Sequence, residues 1–391
     1  MLRLLHTADV HLGARHADLG DVAAAQRERQ FAAFRAAIDL AIAERVELFL
    51  VAGDLFDSNV QPKRSVERVA AELAELARAR IRVVITPGTH DVYDRTSVYR
   101  AYDLAALAGS RGSQDLVTVL TPERPWIHFP ALDAVVHGAP FATKRAPHSP
   151  MIDIAAAQAP VAKWHIGLLH AAIAIPGKTD GDEVVITTEE IGASGLDYLA
   201  LGHWHSAQVA RINGVTYAYS GAPEPVALDQ DRAGKVLLVT LEDRDDVHVV
   251  KVEERVVGRT TFQRVDVDAA TVGTQPALIA RLAATASPDL VLDVRLTGVR
   301  PDDLDLDPAE VEAALKGSFL RARIRDVSRT AIAEGPIPPP ETVEGTFIRS
   351  LQAQIAQLEQ AGGDDATRQA SELRDALRLG RLLLEGHEVA L

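Results

Sequence analysis

The chain has 391 residues, too many for one ordinary domain, so two or three folding units are expected. Its hydrophobic content of 47% is that of a protein with a sizeable core, yet no stretch approaches the roughly 18 apolar residues that a membrane span needs. The sequence has no cysteine, which excludes disulfides and thiolate metal sites, and its net charge of −14 argues against nonspecific wrapping of nucleic acid.

The amino-terminal run Met1–Leu5 is followed at once by a histidine and is too short for the apolar part of a signal peptide. A cytoplasmic location without a membrane partner is therefore expected. The negative charge lowers the expectation of a nucleic acid substrate without removing it, because bound divalent metal reverses the local sign of the carboxylates that hold it.

Residues 1–255 alternate short apolar runs, typical of buried strands, with amphipathic stretches at Gln26–Arg45 and Val66–Arg80 that predict helices. The predicted strands are Leu2–Thr7, Glu47–Ala52, Ile81–Thr86, Ala134–His137, Trp164–His170, Asp197–Leu201, Lys235–Leu241 and Val247–Val252. A turn is predicted at Glu242–Asp246, between the last two strands. This order predicts an α/β or α+β domain in which sheets pack between helices.

The pattern changes in residues 256–334, where strands and helices alternate in a way that predicts a small βαββ or βαβαβ unit. Its predicted elements are Thr261–Val267, Pro276–Ala286, Leu290–Thr297, Pro308–Lys316 and Ser318–Val327. A proline-rich linker at residues 335–340 cannot continue a helix or a sheet. Two amphipathic helices, Glu344–Gln360 and Ala366–Leu384, are predicted in residues 341–391, and they either pack on their own protein or dock on a partner.

Aspartate or histidine residues stand at the ends of five of the predicted strands. In extended backbone, residues two apart point the same way, so Asp9 and His11 can reach one ion, as can His203 and His205. The five segments are Asp9-Val10-His11, Gly53-Asp54-Leu55-Phe56-Asp57, Pro87-Gly88-Thr89-His90-Asp91, His170 and Gly202-His203-Trp204-His205.

Each segment alone is equally typical of a surface pair, a turn or a buried histidine. Together they supply enough oxygen and nitrogen ligands for two cations. A mixture of carboxylate and imidazole without thiolate favours Mn²⁺, Fe²⁺ or Zn²⁺ over Ca²⁺. The sequence therefore predicts two divalent metal ions drawn from these three.

The series of segments resembles the calcineurin-like metallophosphoesterases, and in order and spacing it is most similar to the SbcD/YhaO branch of DNA repair exonucleases. The resemblance implies an α+β fold with a four-layer α/β/β/α sandwich at residues 1–255 and a small capping domain at residues 256–334. It further implies that residues 341–391 are a partner-binding helical arm.

The resemblance also implies roles for the site residues. Asp54 would bridge two metals, and His90 would stand beside the scissile phosphate, oriented by Asp57. The other predicted ligands are Asp9, His11 and His205 for the first metal, and His170 and His203 for the second. Thr89 stands where the family has an Asn whose amide oxygen binds the second metal. The Thr89 hydroxyl is one bond shorter, so it coordinates weakly, acts through water or does not coordinate.

Arg321, Arg323 and Arg325 alternate along one predicted strand and so share a face. That face is either a phosphate-binding stripe or a solvated surface paired with acids. The resemblance implies that the small domain helps to position DNA. It also implies that the terminal helices bind an SMC-family ATPase of the SbcC/YhaN type, and a homodimer stays an open alternative.

The favoured function is a Mn²⁺-dependent DNA exonuclease or endonuclease in DNA repair or end processing that acts together with such an ATPase. Two alternatives stay open. One is a stand-alone phosphoesterase that acts on small nucleotide diesters. The other is a weakly active scaffold protein in which Thr89 has reduced turnover.

Overall fold

The computed structural model describes residues 1–384 and 386, apart from 111–115, 157, 176, 178, 180–183, 229, 231, 246, 302–303 and 331–336. Two compact units divide the chain, Met1–Thr260 and Thr261–Leu391. The beginning of the predicted linker at residues 335–340 lies outside the described residues. Within the described part, none of the helices combines the length and the apolar character that crossing a bilayer requires.

The strands of the first unit are short and mostly buried. In chain order they are β1 (Leu2–Thr7), β2 (Leu48–Ala52), β3 (Arg82–Thr86), β4 (Val117–Val119), β5 (Trp126–Phe129), β6 (Ala134–Gly138), β7 (Trp164–His170), β8 (Ala172–Ile173), β9 (Val185–Ile186), β10 (Tyr198–Gly202), β11 (Gln208–Ile212), β12 (Val215–Tyr219), β13 (Lys235–Arg244) and β14 (Val247–Val256). Its helices are α1 (Ala23–Ala43), α2 (Lys63–Arg78), α3 (Val98–Ala101), α4 (Leu104–Leu107), α5 (Pro150–Ala156) and α6 (Thr188–Ala193), with 3₁₀ turns at Ala17–Val22 and Pro130–Leu132.

Most of these strands form two six-stranded sheets, ordered β14-β13-β1-β2-β3-β4 and β11-β12-β10-β7-β6-β5. In the first sheet β1, β2, β3 and β4 run parallel, whereas β13 and β14 are antiparallel to their neighbours. In the second sheet β6, β7, β10 and β12 run parallel. The central strands of both sheets are therefore parallel and end at common edges.

The side chains of β2 show how the layers pack. Phe49 and Val51 join a core with helices α1 and α2, while Leu48 and Leu50 join a second core that is shared with β7 and β10. This alternation follows from the two-residue period of a strand that is buried on both faces. A third core lies between the second sheet and helices α5 and α6. The four layers are helix, sheet, sheet and helix, which confirms the predicted fold class.

The hairpin of β13 and β14 is longer than the sequence predicted. A turn was expected over Glu242–Asp246, but β13 continues through Arg244 and β14 begins at Val247. Pairing with the neighbouring strand continues to the end of β13, where Arg244 faces Val247. The Lys251 ammonium group lies 3.1 Å from the Glu242 carboxylate across the two strands. Backbone pairing and this ion pair explain why a charged segment takes strand geometry.

The second unit contains a parallel three-stranded sheet. Its elements are β15 (Thr261–Asp268), α7 (Gln275–Ala283), β16 (Leu290–Thr297), β17 (Val299–Arg300), α8 (Pro308–Leu315), β18 (Arg321–Asp326), β19 (Arg329–Thr330), α9 (Val343–Ala361) and α10 (Asp364–Leu384), with a 3₁₀ turn at Ala269–Thr271. The sheet order is β15-β16-β18, and α7 and α8 connect its strands. Apolar residues such as Val294 and Ile324 pack with both helices in a separate core.

Helices α9 and α10 pack against each other in the second unit. Gly380 permits the close approach, because a Cβ atom at that position would lie 2.2 Å from the Phe347 ring. Ile348 and Ala370 are also buried. Leu383 and Leu384, by contrast, remain 53% and 43% exposed at the end of α10.

A histidine is buried between the two large sheets. His6 on β1 is inaccessible to solvent, and its Nδ1 lies 2.8 Å from the Tyr198 hydroxyl. Its Nε2 has no hydrogen-bond partner among the described residues. Burial lowers the pKa of the His6 imidazole to about 3. His6 is therefore neutral in the folded protein at neutral pH.

Replacing His6 by glutamine is expected to make the protein less sensitive to acid. The pKa of the imidazole is near 6.5 in the unfolded chain and about 3 in the folded one. His6 therefore does not lower the free energy of unfolding above pH 6.5, where the imidazole is neutral in both the folded and the unfolded chain. As the pH falls toward 3, the unfolded chain takes up the proton first, and the free energy of unfolding decreases by roughly 3 kcal/mol near pH 4. Urea titrations at neutral and acid pH give the free energy of unfolding of the native protein and of the His6→Gln variant. An equal decrease with acid in the two proteins would contradict this account.

Candidate metal centre

The loops after β1, β2, β3, β7 and β10 carry the predicted ligands. Since β1, β2 and β3 are parallel in one sheet and β7 and β10 are parallel in the other, each set ends at one edge. At that edge the structure brings together the side chains of Asp9, His11, Asp54, Asp57, His90, His170 and His205. The five segments singled out by sequence thus converge on one place.

Asp9, His11 and His205 form a first group, in which one potential ligand atom from each side chain lies within 4.8 Å of the others. His11 Nε2 lies 3.2 Å from His205 Nε2, and His205 Nε2 lies 3.9 Å from Asp9 Oδ1. Two imidazole nitrogens so close cannot both carry a proton, whereas a cation between them would accept both lone pairs. This geometry suits one metal ion.

Asp9, Asp54 and His170 form a second group, and all three are buried. His170 Nδ1 donates to the carbonyl oxygen of Ala52 at 2.9 Å, which makes Nε2 the nitrogen that would bind a metal ion after losing its proton. His170 Nε2 faces Asp54 Oδ2 at 3.2 Å. A histidine held through Nδ1 and open at Nε2 is the usual arrangement of a metal ligand.

Thr89 and His203 lie beside these groups. The Thr89 hydroxyl donates to Asp54 Oδ2 at 3.5 Å. The ring of His203 is perpendicular to that of His170, with centroids 5.4 Å apart, and its backbone N–H donates to Asp9 Oδ1 at 3.0 Å. Among the described residues, His203 does not join a group of three ligand atoms within 4.8 Å.

His90 and Asp57 also meet at this edge, through different atoms than expected. His90 Nδ1 lies 3.0 Å from the backbone carbonyl oxygen of Asp57 and 3.9 Å from its carboxylate. The Asp57 carboxylate is closer to His11 Nδ1, at 3.3 Å. The peptide group of Asp57 thus orients His90, while its side chain orients His11. The His90 side chain is 48% exposed, so a substrate can reach it.

The loop backbones adopt the left-handed conformation at several predicted ligands. The sequence argument placed Asp9 and His11 on extended backbone, but their φ angles are 52° and 49°. Asp54 and His203 also have positive φ, at 51° and 104°. Hydrogen bonds between the loops fix the conformation, since the N–H of Asp9 donates to Gly53 O at 3.1 Å and that of His11 to Asp54 O at 3.0 Å. Unfavourable backbone held by surrounding contacts is typical of functional sites.

Two glycines allow the loops to approach one another. A Cβ atom on Gly202 would lie 1.9 Å from the Ala52 carbonyl oxygen, and one on Gly88 would lie 2.2 Å from Asp54 Oδ1. A side chain at either glycine position would push apart the segments that carry Asp54 and His170. These glycines are therefore needed for the approach of the two groups.

Two residues that sequence reasoning left without a role support the loops. Asp91 is buried and accepts hydrogen bonds from the N–H groups of Gly88 and Phe56 and from the Tyr99 hydroxyl. Gln30 of α1 is buried as well, and its Nε2 donates to the carbonyl oxygen of Val10. Gln30 is a polar residue on the buried face of α1, and this position was the signal from which a supporting role could have been predicted.

The charges of the site are strongly coupled. Burial alone would raise the pKa of the Asp54 carboxyl, but the His170 and His11 imidazoles hold that pKa well below its usual range. Burial alone would lower the pKa of His170, but Asp54 and then Asp9 outweigh it and raise the pKa to about 10. These carboxylates therefore stabilise positive charge at the position of His170 Nε2.

The donor set fits divalent metal ions. Asp9 and Asp54 are buried carboxylates, and no lysine or arginine of the described residues forms an ion pair with either. Their charged neighbours are imidazoles, and carboxylates that are buried in this way are usually paired or bind metal. His170 Nε2 lies next to them, 3.2 Å from Asp54 Oδ2. Carboxylate oxygen and imidazole nitrogen are ligands that Mn²⁺, Fe²⁺ and Zn²⁺ share.

The predicted arginine stripe lies in the second unit, on the sheet face opposite α7 and α8. Asp293 pairs with Arg264 and Arg325, and Asp266 pairs with Arg295. Arg323 is exposed on the same strand as Arg321 and Arg325. With five arginines and the three aspartates Asp266, Asp268 and Asp293, this face carries a difference of two positive charges. It is thus both paired with acids and net basic.

Comparisons with known proteins agree with this geometry. The family described as calcineurin-like phosphoesterase matches residues 2–207. The DNA double-strand break repair protein Mre11 of Methanopyrus kandleri is 26% identical over 373 residues, which are 85% of this chain and 80% of that protein. The SbcD component of the SbcCD nuclease of Rhodobacter capsulatus is 30% identical over 268 residues, 59% of this chain and 64% of that protein. The uncharacterized metallophosphoesterase YhaO of Bacillus subtilis is 25% identical over 228 residues, 56% of this chain and 52% of that protein.

Proposed function

Because the chain belongs to the calcineurin-like phosphoesterase family of metal-dependent hydrolases, we propose that it is a two-metal-ion phosphodiesterase that cuts DNA. The observation that carries the proposal is the convergence of carboxylates and imidazoles on Asp54. We assign Asp54 to both ions. The remaining ligands are assigned as Asp9, His11 and His205 for the first ion, and His170, His203 and Thr89 for the second.

When bound, two divalent cations lower the pKa of a water molecule and offset negative charge on the phosphoryl oxygens. The chain itself supplies the positioning and the proton. Asp57 accepts a hydrogen bond from His90 Nδ1 through its backbone carbonyl, so the Nε2–H of the protonated His90 imidazolium is the group that can donate to a phosphate oxygen or to the leaving group. Asp57 also keeps His11 oriented through its carboxylate.

DNA is the proposed substrate because similar proteins are named for DNA double-strand break repair and as part of a nuclease. The net basic face with Arg321, Arg323 and Arg325 supports this, since phosphate backbones are bound by clustered arginine. Mn²⁺ is the proposed ion, one of the three that accept oxygen and nitrogen ligands together.

A nuclease assay tests the proposal. End-labelled linear DNA, circular DNA and a small phosphodiester are incubated with Mn²⁺, with Mg²⁺ or with EDTA. We expect Mn²⁺-dependent cleavage of DNA that EDTA abolishes. Turnover of the small diester alone would favour the stand-alone phosphoesterase, and the absence of turnover on every substrate would favour the weakly active scaffold.

Thr89 provides a test of the second metal position. A Thr89→Asn variant would present an amide carbonyl oxygen that reaches one bond further than the native hydroxyl. Changes at a single ligand or at its supporting groups typically alter metal affinity or activity by about 10–100-fold. We expect the variant to bind the second ion more tightly and to need less Mn²⁺ for half-maximal activity. Calorimetric titration separates the two sites, and unchanged or weaker second-site binding would show Thr89 to be an adapted ligand.

The partner proposed for α9 and α10 is an SMC-family ATPase of the SbcC/YhaN type. The exposed Leu383 and Leu384 would be covered in such a complex. Replacing both by serine is expected to weaken ATPase binding by at least about tenfold, because each buried leucine contributes roughly 1.5–3 kcal/mol. Turnover of small diesters should not change. Val161→Ser, at a residue that is 96% exposed in the first unit, is the matched control. Equal ATPase affinity of the double variant and the native protein would exclude this surface.

A further inference from the structure

Gln230 lies outside the predicted ligand set, yet its side chain contacts one of those ligands. Gln230 Nε2 donates a hydrogen bond to His205 Nδ1, and Gln230 Oε1 accepts one from the Val226 N–H at 2.8 Å. The bond to Val226 fixes the orientation of the amide. If the amide were reversed, its NH₂ group would face the Val226 N–H and both would be donors.

This orientation determines where His205 carries its proton. A neutral imidazole has one N–H, and a nitrogen that accepts a hydrogen bond cannot carry it. Because Gln230 donates to Nδ1, the proton of neutral His205 lies on Nε2. However, Nε2 is the atom that faces His11 Nε2 at 3.2 Å and Asp9 Oδ1 at 3.9 Å. A cation bound there requires the opposite tautomer, with Nε2 free and Nδ1 donating.

We propose that Gln230 is a positioning residue that sets the tautomer of His205 and thereby weakens the first metal position. The inference rests on the proposed function, since it takes His205 to be a metal ligand. When Nε2 binds a cation, it releases its proton to water, and Nδ1 takes up a proton from water. The Gln230 amide must then turn its oxygen toward Nδ1, which removes the acceptor of the Val226 N–H.

The backbone before Val226 is held in place, so it cannot easily move to give the Val226 N–H another acceptor when the Gln230 amide turns. Ala222 N–H donates to the carbonyl oxygen of His205 at 3.0 Å. The carbonyl oxygen of Pro225 accepts a hydrogen bond from the buried Gln26 side chain at 2.9 Å. The segment that precedes Val226 is therefore held by two hydrogen bonds. Loss of the Val226 hydrogen bond then opposes metal binding, because the half-buried N–H gives up its acceptor in the protein.

A Gln230→Glu variant separates these effects. A carboxylate is an acceptor at both oxygens, so it can keep the Val226 hydrogen bond and also accept from His205 Nδ1–H. We expect this variant to bind one metal ion about 10–100-fold more tightly than the native protein, with the other ion unaffected. Gln208→Glu is the matched control, because it adds the same charge at an exposed position three residues after His205.

The test combines Mn²⁺ calorimetry of the full chain with ¹⁵N NMR of histidine in the metal-free protein, where a His205→Ala variant assigns the signals. The expected tautomer of His205 has its proton on Nε2 in the native protein and in Gln208→Glu, and on Nδ1 in Gln230→Glu. The same tautomer in the native and Gln230→Glu proteins, or equal metal affinities, would overturn the role of Gln230 while leaving the proposed function intact. No Mn²⁺ binding by any variant would instead overturn the proposed function.

Discussion

Replacing His90 by alanine is expected to lower the rate of phosphodiester cleavage by about 10²–10⁴-fold, the usual contribution of a positioned acid or base. His90 is exposed, and its Nδ1 is held by the Asp57 carbonyl oxygen at 3.0 Å. Its assigned role is to donate a proton to the phosphate or to the leaving group. Because we assign it no metal, the variant should retain both ions. Initial rates on a small phosphodiester and elemental analysis of the purified variant measure the two quantities.

A suitable control for His90 is His148→Ala. His148 is also a partly exposed histidine, and its Nε2 lies 2.9 Å from Asp153 Oδ1. Its removal should leave the cleavage rate unchanged. Loss of metal from the His90 variant would contradict our assignment, because the group formed by His11, Asp57 and His90 would then be a metal site in its own right.

Replacing Asp54 by asparagine is expected to have the largest effect on metal binding. Asp54 Oδ2 lies 3.8 Å from His11 Nε2 and 3.2 Å from His170 Nε2, so it is the carboxylate between the two groups of ligands. Loss of its charge should weaken both ions and lower activity by at least about 100-fold. Mn²⁺ at about 100 times its Kd should stabilise the native protein by about 2.7 kcal/mol, but not the variant at the same concentration.

Thermal unfolding with and without Mn²⁺ measures this difference. Asp153→Asn is the matched control, because it makes the same change at an aspartate outside the site. The control should keep the full shift in Tm. A variant of Asp54 that is still stabilised by Mn²⁺ as strongly as the native protein would show that Asp54 does not bridge the ions.

The sequence was sufficient to predict many of the buried strands and the convergence of the candidate ligands, but the buried strands β5 and β12 were not predicted. β1 and β7 have the predicted bounds, Leu2–Thr7 and Trp164–His170, because continuous apolar runs are typical of strands buried on both faces. The parallel order of β1, β2 and β3 then places their carboxyl ends together. Neither inference depends on knowledge of side-chain contacts.

Short and exposed elements were harder to predict. β11 at Gln208–Ile212 lies at the edge of its sheet and is largely exposed, so its hydrophobic pattern is weak. The turn before β12 did contain a signal, since Asn213 and Gly214 have positive φ angles of 46° and 92° and Asn-Gly favours a tight hairpin. The alternation of polar and apolar residues in β11 was not sufficient to predict the strand.

The supporting contacts of the site could not be read from the sequence. Gln230 is 25 residues from His205, and the Asp57 carbonyl oxygen is 33 residues from His90. Such contacts depend on how the loops fold over one another. The left-handed backbone at Asp9 and His11 likewise arises from hydrogen bonds with the loop after β2.

A crystal structure with Mn²⁺, in which anomalous scattering locates the ions, tests the two-metal centre most directly. The account predicts two anomalous peaks that share Asp54. One should lie among Asp9, His11 and His205, and the other beside His170 Nε2. A single peak, or a peak among His11, Asp57 and His90 instead, would contradict the two-metal account.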